Sequence, residues 1–279
     1  MKKNFEKFKQ ALYGNTQFKV GLVMLAILLF IALFAGVLSP YDPYKLSEDL
    51  LVSPSSSHPL GTDNLGRDLL SMLFYGAKVS LLVGTISALI AAVIGTLLGG
   101  VAGFFGGKVD MIFGGFLNIF MMMPTFFLIL IVVALFGSGM LKVMIVIGLT
   151  SWVGNAKLMR AQALSIKERT YIKSAESIGE SKLKILFRHI IPNGIFPIIA
   201  NTTMGVASAI LTESSLAFLG LGDPNIISWG QIIQNGKSYL LTGWWICVFA
   251  GLAIIYTVIT FYLLGDGINR ILSPKLRSR

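Results

Sequence analysis

Six long apolar runs are the feature of this sequence that most constrains its fold. They lie at residues 20–38, 79–105, 111–136, 140–153, 195–219 and 244–264. The first run contains nineteen residues without a charge, which at about 1.5 Å per residue nearly spans a hydrocarbon core about 30 Å thick. Only 13% of all residues are charged, whereas typical soluble domains have about 25%. The sequence therefore predicts an all-α integral membrane protein with six transmembrane helices.

Composition also excludes several classes of chemistry. Six spans use so much of the 279 residues that little room is left for a soluble catalytic domain. Cys247 is the only cysteine, which excludes an intrachain disulfide and a zinc cluster built on thiolates. His58 and His189, the only histidines, are predicted to lie on opposite sides of the membrane, which excludes a paired-histidine metal site. We therefore predict no catalytic, cofactor-binding or metal-ligating residues.

The net charge of +10 is divided unevenly between the two sides of the predicted spans. Eighteen of the 23 Lys and Arg fall on one side, in residues 1–19, 108, 157–193 and 266–279. Because cytoplasmic loops collect Lys and Arg, both termini are predicted to be cytoplasmic, and the charge needs no nucleic-acid partner. The chain then divides into five parts. They are a basic N-terminal segment (1–19), a first transmembrane helix (20–38), an extracellular segment (39–78), a membrane core (79–265) and a cytoplasmic tail (266–279).

Small residues and one proline predict how two of the spans pack. Gly95, Gly99 and Gly103 in the second span recur every four residues, a spacing that lets two helix backbones approach closely in lipid. Pro124 in the third span removes a backbone hydrogen bond and predicts a kink. The methionines at 121–123 beside it would face lipid or the core, or would line an adaptable passage.

The sequence lacks a phosphate-binding loop of the form GxxxxGK(S/T). The nearest approach ends at Gly107 and Lys108. Ala102 stands in place of its first glycine, and Val109 stands in place of the serine or threonine that would bind magnesium. ATP binding by this route is therefore excluded.

Two short signatures resemble those of intramembrane aspartyl proteases, in which paired carboxylates share a proton. Residues 220–223 spell GxGD, ending in Asp223, and Asp42 follows a tyrosine. Each aspartate is followed by a proline in turn-like sequence at the predicted outer end of a span. The Pro-Ala-Leu signature of such enzymes is also missing, so proteolysis is disfavoured.

Glu213 is the only ionisable residue in the interior of a predicted span. An ionisable group in lipid is costly and is usually functional. A lone glutamate gives little support to a proton-coupled carrier. The sequence favours a polar tie between helices, or a position near the outer mouth of a cavity.

A basic segment at residues 157–193 is longer than a connection between spans requires, and it contains eight Lys and Arg. Its second half places four apolar residues on one helical face: Leu183, Leu186, Phe187 and Ile190. Gly179 is predicted to interrupt the preceding helix, and Pro192 is predicted to end the following one. The segment should form a helix, turn, helix unit whose apolar stripe is covered by lipid or by another protein.

Stretches 171–179 and 187–193 of this segment resemble the EAA loop of permease subunits of bacterial ABC importers. Ala175 and Gly179 keep the second alanine and the glycine of the motif, whereas Lys173 and Ser174 replace its glutamate and first alanine. The resemblance implies a cytoplasmic coupling helix, between the fourth and fifth spans, that docks in a groove of a separate ATPase subunit. The residues that it assigns to this coupling are Tyr171, Lys173, Ala175, Gly179, Lys184, Arg188 and Pro192.

Further segments narrow the resemblance to one branch of the family. They occur in the same order as in the C-type permease subunits of dipeptide, oligopeptide and nickel importers, at residues 58–68, 76–84, 218–222, 228–230 and 264–267. In the first of them, Thr62 or Asp63 is expected to cap a helix that starts near Asn64. The polar residues there would either brace this helix on the membrane surface or form an outer gate that meets the substrate-loaded receptor; they are His58, Asp63, Arg67 and Asp68.

The resemblance implies a multi-pass permease of the bacterial inner membrane that is not itself an enzyme. Its implied partners are a homologous B-type permease subunit, two cytoplasmic ATPase subunits and an extracellular or periplasmic substrate-binding protein, with membrane lipid around it. The implied cargo is a di- or oligopeptide, moved by alternating access, with nickel or a metal chelate as the alternative cargo. A secondary transporter or channel that works without an ATPase is the rival function.

Overall fold

The computed structural model describes residues 15–137 and 139–272, and the regular structure of this part of the chain is helical. The predicted N-terminal segment before residue 15 and the tail after residue 272 lie outside the described residues. The α-helices are α1 (Thr16–Leu33), α2 (Ala35–Leu38), α3 (Leu69–Phe105), α4 (Gly107–Met122), α5 (Thr125–Phe136), α6 (Met140–Thr150), α7 (Val153–Lys167), α8 (Thr170–Ser177), α9 (Lys182–Ile185), α10 (Ile191–Phe218), α11 (Trp229–Gly236) and α12 (Trp244–Leu272). A π-helical turn at Leu186–Ile190 joins α9 to α10.

Five helical stretches among the described residues are long and apolar enough to cross a membrane: Thr16–Leu33, Leu69–Phe105, Met140–Lys167, Lys182–Phe218 and Trp244–Ile271. A sixth candidate is the pair α4 and α5, which is bent by 80° and is either a broken span or a re-entrant loop. Pro124 lies in the break between these two helices. The kink predicted at Pro124 is confirmed, and the predicted number of six spans holds when the bent pair counts as one.

The helices extend further than the apolar runs predicted. α3 begins at Leu69 instead of residue 79, because Asp68 caps it by accepting a hydrogen bond from the Ser71 amide (2.9 Å). The fourth span continues past residue 153 and reaches Lys167. These extensions contain polar residues, which lower their hydropathy. Because several of these polar residues favour helix, apolar runs alone underestimate the helix lengths.

The glycines of α3 face α7 at very short range. A Cβ on Gly95 would lie 2.7 Å from the Trp152 carbonyl oxygen, and a Cβ on Gly103 would lie 2.5 Å from that of Arg160. Real Cβ atoms essentially never show separations under 3.0 Å, so the two backbones can approach this closely only where α3 has glycine. The close packing predicted for this span is confirmed, and α3 contacts α1, α6, α7 and α10.

The two ends of the helix bundle carry different connections. One end, the loop side, holds residues 39–68 and 219–243, and the other end, the connector side, holds residues 168–181. Asn15, just before α1, donates a hydrogen bond from Nδ2 to the Gly267 carbonyl oxygen (3.4 Å), so α1 starts beside the last turns of α12. The described chain therefore begins and ends on the connector side.

Candidate functional site

The connector segment, residues 168–190, packs against α7 through a hydrophobic core. Ile172 on α8 is completely buried, and Ala175 is buried on the same helix. Their partners in this core are Phe104, Met159, Ala163, Ile166, Ile185, Leu186, Ile190 and Ile198. The segment is thus fixed to the end of a transmembrane helix, and Ala175 contributes to that core.

The outer surface of the connector segment carries four exposed apolar side chains, which we call the connector patch: Tyr171, Ile178, Leu183 and Phe187. Ile178 is 83% exposed. The predicted apolar stripe is divided. Leu186 and Ile190 face the core, whereas Leu183 and Phe187 lie in the connector patch. The described residues cover half of the stripe and leave the other half exposed.

Gly179 ends α8 in the left-handed conformation, with a φ of +82°. The Glu180 amide donates to the Ala175 carbonyl oxygen (3.1 Å), a bond typical of glycine-terminated helix ends. Apart from Gly179 itself and its chain neighbours, none of the described residues has an atom within 4 Å of a Cβ placed on Gly179. The backbone conformation therefore favours glycine there, and no steric contact does. The predicted interruption of the helix at Gly179 is confirmed.

The Glu180 carboxylate ties the turn after α8 to the helix that follows. Its Oε1 lies 3.1 Å from Lys184 Nζ, and its Oε2 lies 2.9 Å from His189 Nε2. The hydrogen bond from Lys184, supported by that from His189, holds the pKa of Glu180 below its ordinary value. Sequence reasoning missed Glu180 and His189; the i, i+4 spacing of Glu180 and Lys184 was the available signal.

The other predicted coupling residues have different surroundings. Lys173 forms an exposed ion pair with Glu168 (3.0 Å). Arg188 is exposed, and it forms no ion pair within residues 15–137 and 139–272. The basic residues of this segment therefore share one surface region without forming one network.

Pro192 does not end a helix, and that prediction is wrong. Pro192 lies in the first turn of α10, which follows the π-helical turn directly. A proline is tolerated in the first turn of a helix, and the π-helical turn changes the hydrogen-bond register just before it. The Asn193 side chain donates from Nδ2 to the His189 carbonyl oxygen (2.6 Å), which supplies a donor where the helical bonding changes.

On the loop side, Asp68 joins the start of α3 to the preceding loop. One carboxylate oxygen accepts hydrogen bonds from the amide and the hydroxyl of Ser71, and the other lies 2.9 Å from His58 Nδ1. Asp68 and His58 are both buried. The structure therefore brings these two predicted gate residues together as a brace at the N-terminus of α3.

Asp63 organises a tight loop instead of capping a helix. Its Oδ1 accepts hydrogen bonds from the amides of Leu65 and Arg67 (2.9 Å each), and its Oδ2 accepts one from Arg67 Nε (2.7 Å). The helix predicted to start near Asn64 is therefore wrong, because the local bonds of Asp63 close a turn ahead of the true cap. Thr62 does not cap a helix either: its hydroxyl accepts a hydrogen bond from the Val52 amide (2.8 Å).

Glu213 lies near the loop-side end of α10 and is buried. Its Oε1 accepts a hydrogen bond from Ser228 Oγ (2.7 Å), and Ser228 in turn caps α11 by accepting from the Gln231 amide (3.1 Å). The second carboxylate oxygen has only a long contact with Ser214 Oγ (3.4 Å). Glu213 thus connects a membrane helix to the first turn of the short helix that follows.

The two aspartates of the protease-like signatures cap separate turns. Asp42 Oδ1 accepts a hydrogen bond from the Tyr44 amide (2.9 Å), and Asp223 Oδ1 accepts one from the Asn225 amide (3.1 Å). Within the described residues, neither carboxylate is hydrogen-bonded to the other. These are the local bonds of ordinary Asx turns.

Two parts of the chain match known family sequences. Residues 95–278 match the family described as the binding-protein-dependent transport system inner membrane component. Residues 7–57 match the N-terminal transmembrane domain of oligopeptide transport permease C. The chain belongs to this family of ABC importer permeases. Permeases of this family work with separate ATPase and binding-protein subunits.

Individual relatives match this permease over nearly their whole length. The dipeptide transport system permease protein of Escherichia coli (strain K12) is 41% identical over 266 residues, which cover 92% of this chain and 89% of that protein. The di/tripeptide transport system permease protein of Pseudomonas aeruginosa is 34% identical over 281 residues, with 98% and 93% covered. The glutathione transport system permease protein of Pectobacterium atrosepticum is 38% identical over 276 residues, with 98% and 91% covered.

A solved structure of the MetNI methionine ABC transporter in inward-facing conformations has the same permease fold. The TM-score is 0.55 at 16% sequence identity, and the match covers 74% of this chain and 98% of that chain. The likeness confirms the helical membrane architecture that the sequence predicted. At such low identity it shows the fold alone.

A groove of about 510 Å³ runs between α3 and α10 of the permease, with Phe261 of α12 at one edge. Among the described residues, no ionisable side chain lines the groove. Its polar groups are four threonine hydroxyls, from Thr85, Thr96, Thr202 and Thr203. The Thr202 hydroxyl is buried and has no hydrogen-bond partner among the described residues.

Sequence reasoning also missed an ion pair that braces the bent helix pair of the permease. Arg160 on α7 donates from Nη2 to Asp110 Oδ2 on α4 (2.7 Å), and its Nε bonds the other carboxylate oxygen. The two residues are 50 positions apart, so no local spacing indicates the pair. This contact fixes the start of α4 beside α7.

Proposed function

We propose that this permease is the C-type membrane subunit of an ATP-driven importer of di- or oligopeptides. The observation that carries the proposal is the similarity to permeases named for dipeptides and for di- and tripeptides, over nearly the whole of both chains. The position and the exposed patch of the connector segment support the ATP-driven part of it.

In the proposed orientation the connector side faces the cytoplasm and the loop side faces outward. The described chain begins and ends on the connector side, and 11 of the 16 Lys and Arg among the described residues fall in segments on that side. Cytoplasmic connections of membrane proteins collect these residues. Both termini would therefore be cytoplasmic, in the inner membrane of a bacterium.

The connector patch is the proposed contact with the ATPase. Exposed apolar side chains are normal singly, but four of them on one short, core-anchored segment are typical of a surface that another protein covers. Basic residues flank the patch at Lys173, Lys184 and Arg188. A second ATPase would contact the equivalent segment of the homologous B-type permease subunit.

The groove between α3 and α10 is the proposed wall of the passage, which the B-type subunit would close from the other side. A wall of methyl groups and a few hydroxyls gives a peptide no strong charge partner, so cargo would pass without being held. The binding protein would deliver the cargo on the loop side. There the pairs His58–Asp68 and Asp63–Arg67 would form a rigid platform for it.

The packing of the connector segment suggests how ATP would drive the cycle. Closure of the ATPase pair would push on α8, and the shared core would carry that displacement to α7. α7 packs closely against α3 at the glycine contacts, whereas the π-helical turn joins α10 to the connector segment. A shift of α3 and α7 relative to α10 would open the groove to one side at a time, as alternating access requires.

Purification and reconstituted transport test the proposal. Mild detergent should extract this chain with a second permease and two ATPases, and vesicles containing the complex and its binding protein should take up dialanine only with ATP. The proposal fails if the chain is extracted alone and the vesicles transport without ATP, as a secondary transporter would. ATP-dependent uptake of nickel without uptake of dialanine would contradict the peptide cargo.

A pair of matched variants tests the connector patch. Ile178 and Val37 are exposed to nearly the same extent, 83% and 84%, but Val37 lies near the loop side in α2. Ile178→Ser should reduce the amount of ATPase that co-purifies, whereas Val37→Ser should leave it unchanged. If equal amounts of ATPase co-purify with both variants, the connector patch is not the contact with the ATPase.

A further inference from the structure

A polar cavity of about 520 Å³ lies on the loop side, between the end of α2 and the second turn of α3. Three tyrosines, Tyr41, Tyr44 and Tyr75, contribute to its lining, together with Asp42 and Ser39. The other lining residues are Gly36, Pro40 and Pro43. The cavity is separate from the groove between α3 and α10, and it adjoins the platform of paired charges through Tyr41, whose ring packs beside His58.

The charge of this cavity is unbalanced. Among the residues that the structure describes, Asp42 is its one acidic lining residue, and no Lys, Arg or His contributes to the lining. Within the described residues Asp42 forms no ion pair, and one of its oxygens accepts only the Tyr44 amide. The Ser39 hydroxyl is buried without a hydrogen-bond partner in the same part of the chain. The Asp42 carboxylate is exposed and is therefore available to a cationic donor, whereas the Ser39 oxygen is covered by protein.

The wall of the cavity is held in place before any ligand binds. The Tyr41 hydroxyl donates to the Ser57 carbonyl oxygen (3.0 Å), and the Tyr41 amide donates to Ser71 Oγ (3.2 Å). The Tyr41 ring also packs beside His58, with 4.8 Å between the ring centroids. Because these three contacts already fix the Tyr41 ring, ligand binding costs little further conformational entropy of this side chain.

We propose that this cavity binds an ammonium group, held by the Asp42 carboxylate and the faces of the surrounding tyrosine rings. Aromatic rings attract cations through the negative charge of their faces, and several rings with one acid form a cage that suits primary and quaternary ammonium groups. A belt of tyrosines at the membrane surface would account for the rings alone. It does not account for a carboxylate that has no ion-pair partner among the described residues.

Two sources supply this chemistry at a membrane surface. One is the headgroup of phosphatidylethanolamine, which would bind from the lipid leaflet beside α1 and α2. The other is the terminal ammonium of a free peptide, which would bind from water. Both present a primary ammonium to Asp42, so the experiment needs one arm for each source.

The lipid arm uses the full chain, with any subunits that accompany it, in nanodiscs of equal phosphatidylethanolamine and phosphatidylglycerol. Native mass spectrometry then counts the lipids that stay bound. The peptide arm uses nanodiscs of phosphatidylglycerol alone and measures binding of dialanine against N-acetyl-dialanine, which lacks the ammonium group. The expected result is a preference for the ammonium ligand in at least one arm.

Three variants assign the preference to the cavity. Asp42→Asn keeps the turn but removes the charge, and it should lower the preference about threefold to tenfold, as expected for a partly exposed charge contact. Tyr75→Leu should lower it less. Glu48→Gln removes a nearby exposed carboxylate that does not line the cavity and should change nothing. The proposal is overturned if neither arm shows a preference, if Asp42→Asn keeps it in full, or if Glu48→Gln lowers it equally.

Discussion

A Cβ atom on Gly99 of α3 would lie less than 3.0 Å from the carbonyl oxygen of Ala156 on α7. The atom it would meet is backbone, which cannot rotate away as a side chain can. This contact lies between two neighbouring glycine contacts on the same pair of helices. These contacts hold α3 and α7 together as one unit. The proposed mechanism, in which α3 and α7 shift together relative to α10, depends on this packing.

Gly99→Ala should therefore destabilise the protein, although alanine favours helix more than glycine does. Forcing one methyl group into a packed contact of this kind costs about 1–3 kcal/mol. The control is Gly251→Ala in α12, where no atom lies within 4 Å of the added Cβ and the substitution should be neutral or slightly stabilising. Thermal denaturation in detergent, followed by size-exclusion chromatography, measures both. Equal midpoints for the two variants would contradict the close packing.

Gly179→Leu should separate ATP hydrolysis from uptake while the protein still inserts in the membrane. The positive φ of Gly179 costs a leucine about 1–2 kcal/mol, so the turn between α8 and α9 should change conformation and displace the connector patch. Asparagine tolerates this conformation better, so Gly179→Asn should retain more uptake. Reconstituted vesicles measure ATP hydrolysis and dialanine uptake in parallel. Normal uptake by the leucine variant would count against a coupling role for this turn.

The connector segment should be less stable at acidic pH because of Glu180. Its pKa is lowered in the folded chain by the hydrogen bond from Lys184, supported by that from His189, so the charged carboxylate favours the fold. This stabilisation is complete above the ordinary pKa of about 4.5 and is lost as the pH falls through the lowered value.

Limited proteolysis of residues 178–190 across that pH range measures the effect. The native chain should be cleaved faster as the pH falls below about 4.5, and Glu180→Gln should be cleaved at the faster rate throughout. Glu176→Gln is the control, because Glu176 is exposed and forms no ion pair within the described residues. If Glu180→Gln responds to pH as the native chain does, the loss of stability comes from other groups.

Sequence patterns predicted those features whose cause is local. Gly179 needs a positive φ, Pro124 cannot donate a backbone hydrogen bond, and glycines four residues apart share a helix face, so each leaves a signal in the sequence. The position of the connector segment between two spans was predicted in the same way. The resemblance of the motifs indicated the ABC importer permease family, and the similarity to relatives then showed that the chain belongs to it.

The predictions that failed depend on choices between local partners. Asp63 and Asp68 are both good helix caps, and only the fold shows that Asp63 bonds Arg67 in a turn while Asp68 caps α3. A proline in the interior of a helix ends or kinks it, but Pro192 lies in the first turn of α10, directly after the π-helical turn, where a proline is tolerated. The pair of Arg160 and Asp110 joins distant parts of the chain, and a single sequence contains no sign of it.

Glu213 offers a test that separates a structural tie from a proton relay. A tie needs an acceptor for the Ser228 hydroxyl, which the amide oxygen of glutamine supplies, whereas a relay needs a group that gains and loses a proton. Glu213→Gln should therefore keep ATP-driven uptake near the native level, with an unchanged dependence on pH. Glu213→Ala should lose about 1–3 kcal/mol of stability, because it leaves the buried Ser228 hydroxyl without this partner. Loss of uptake in Glu213→Gln at native stability would show that uptake requires the carboxyl group itself, and the tie would then be only part of its role.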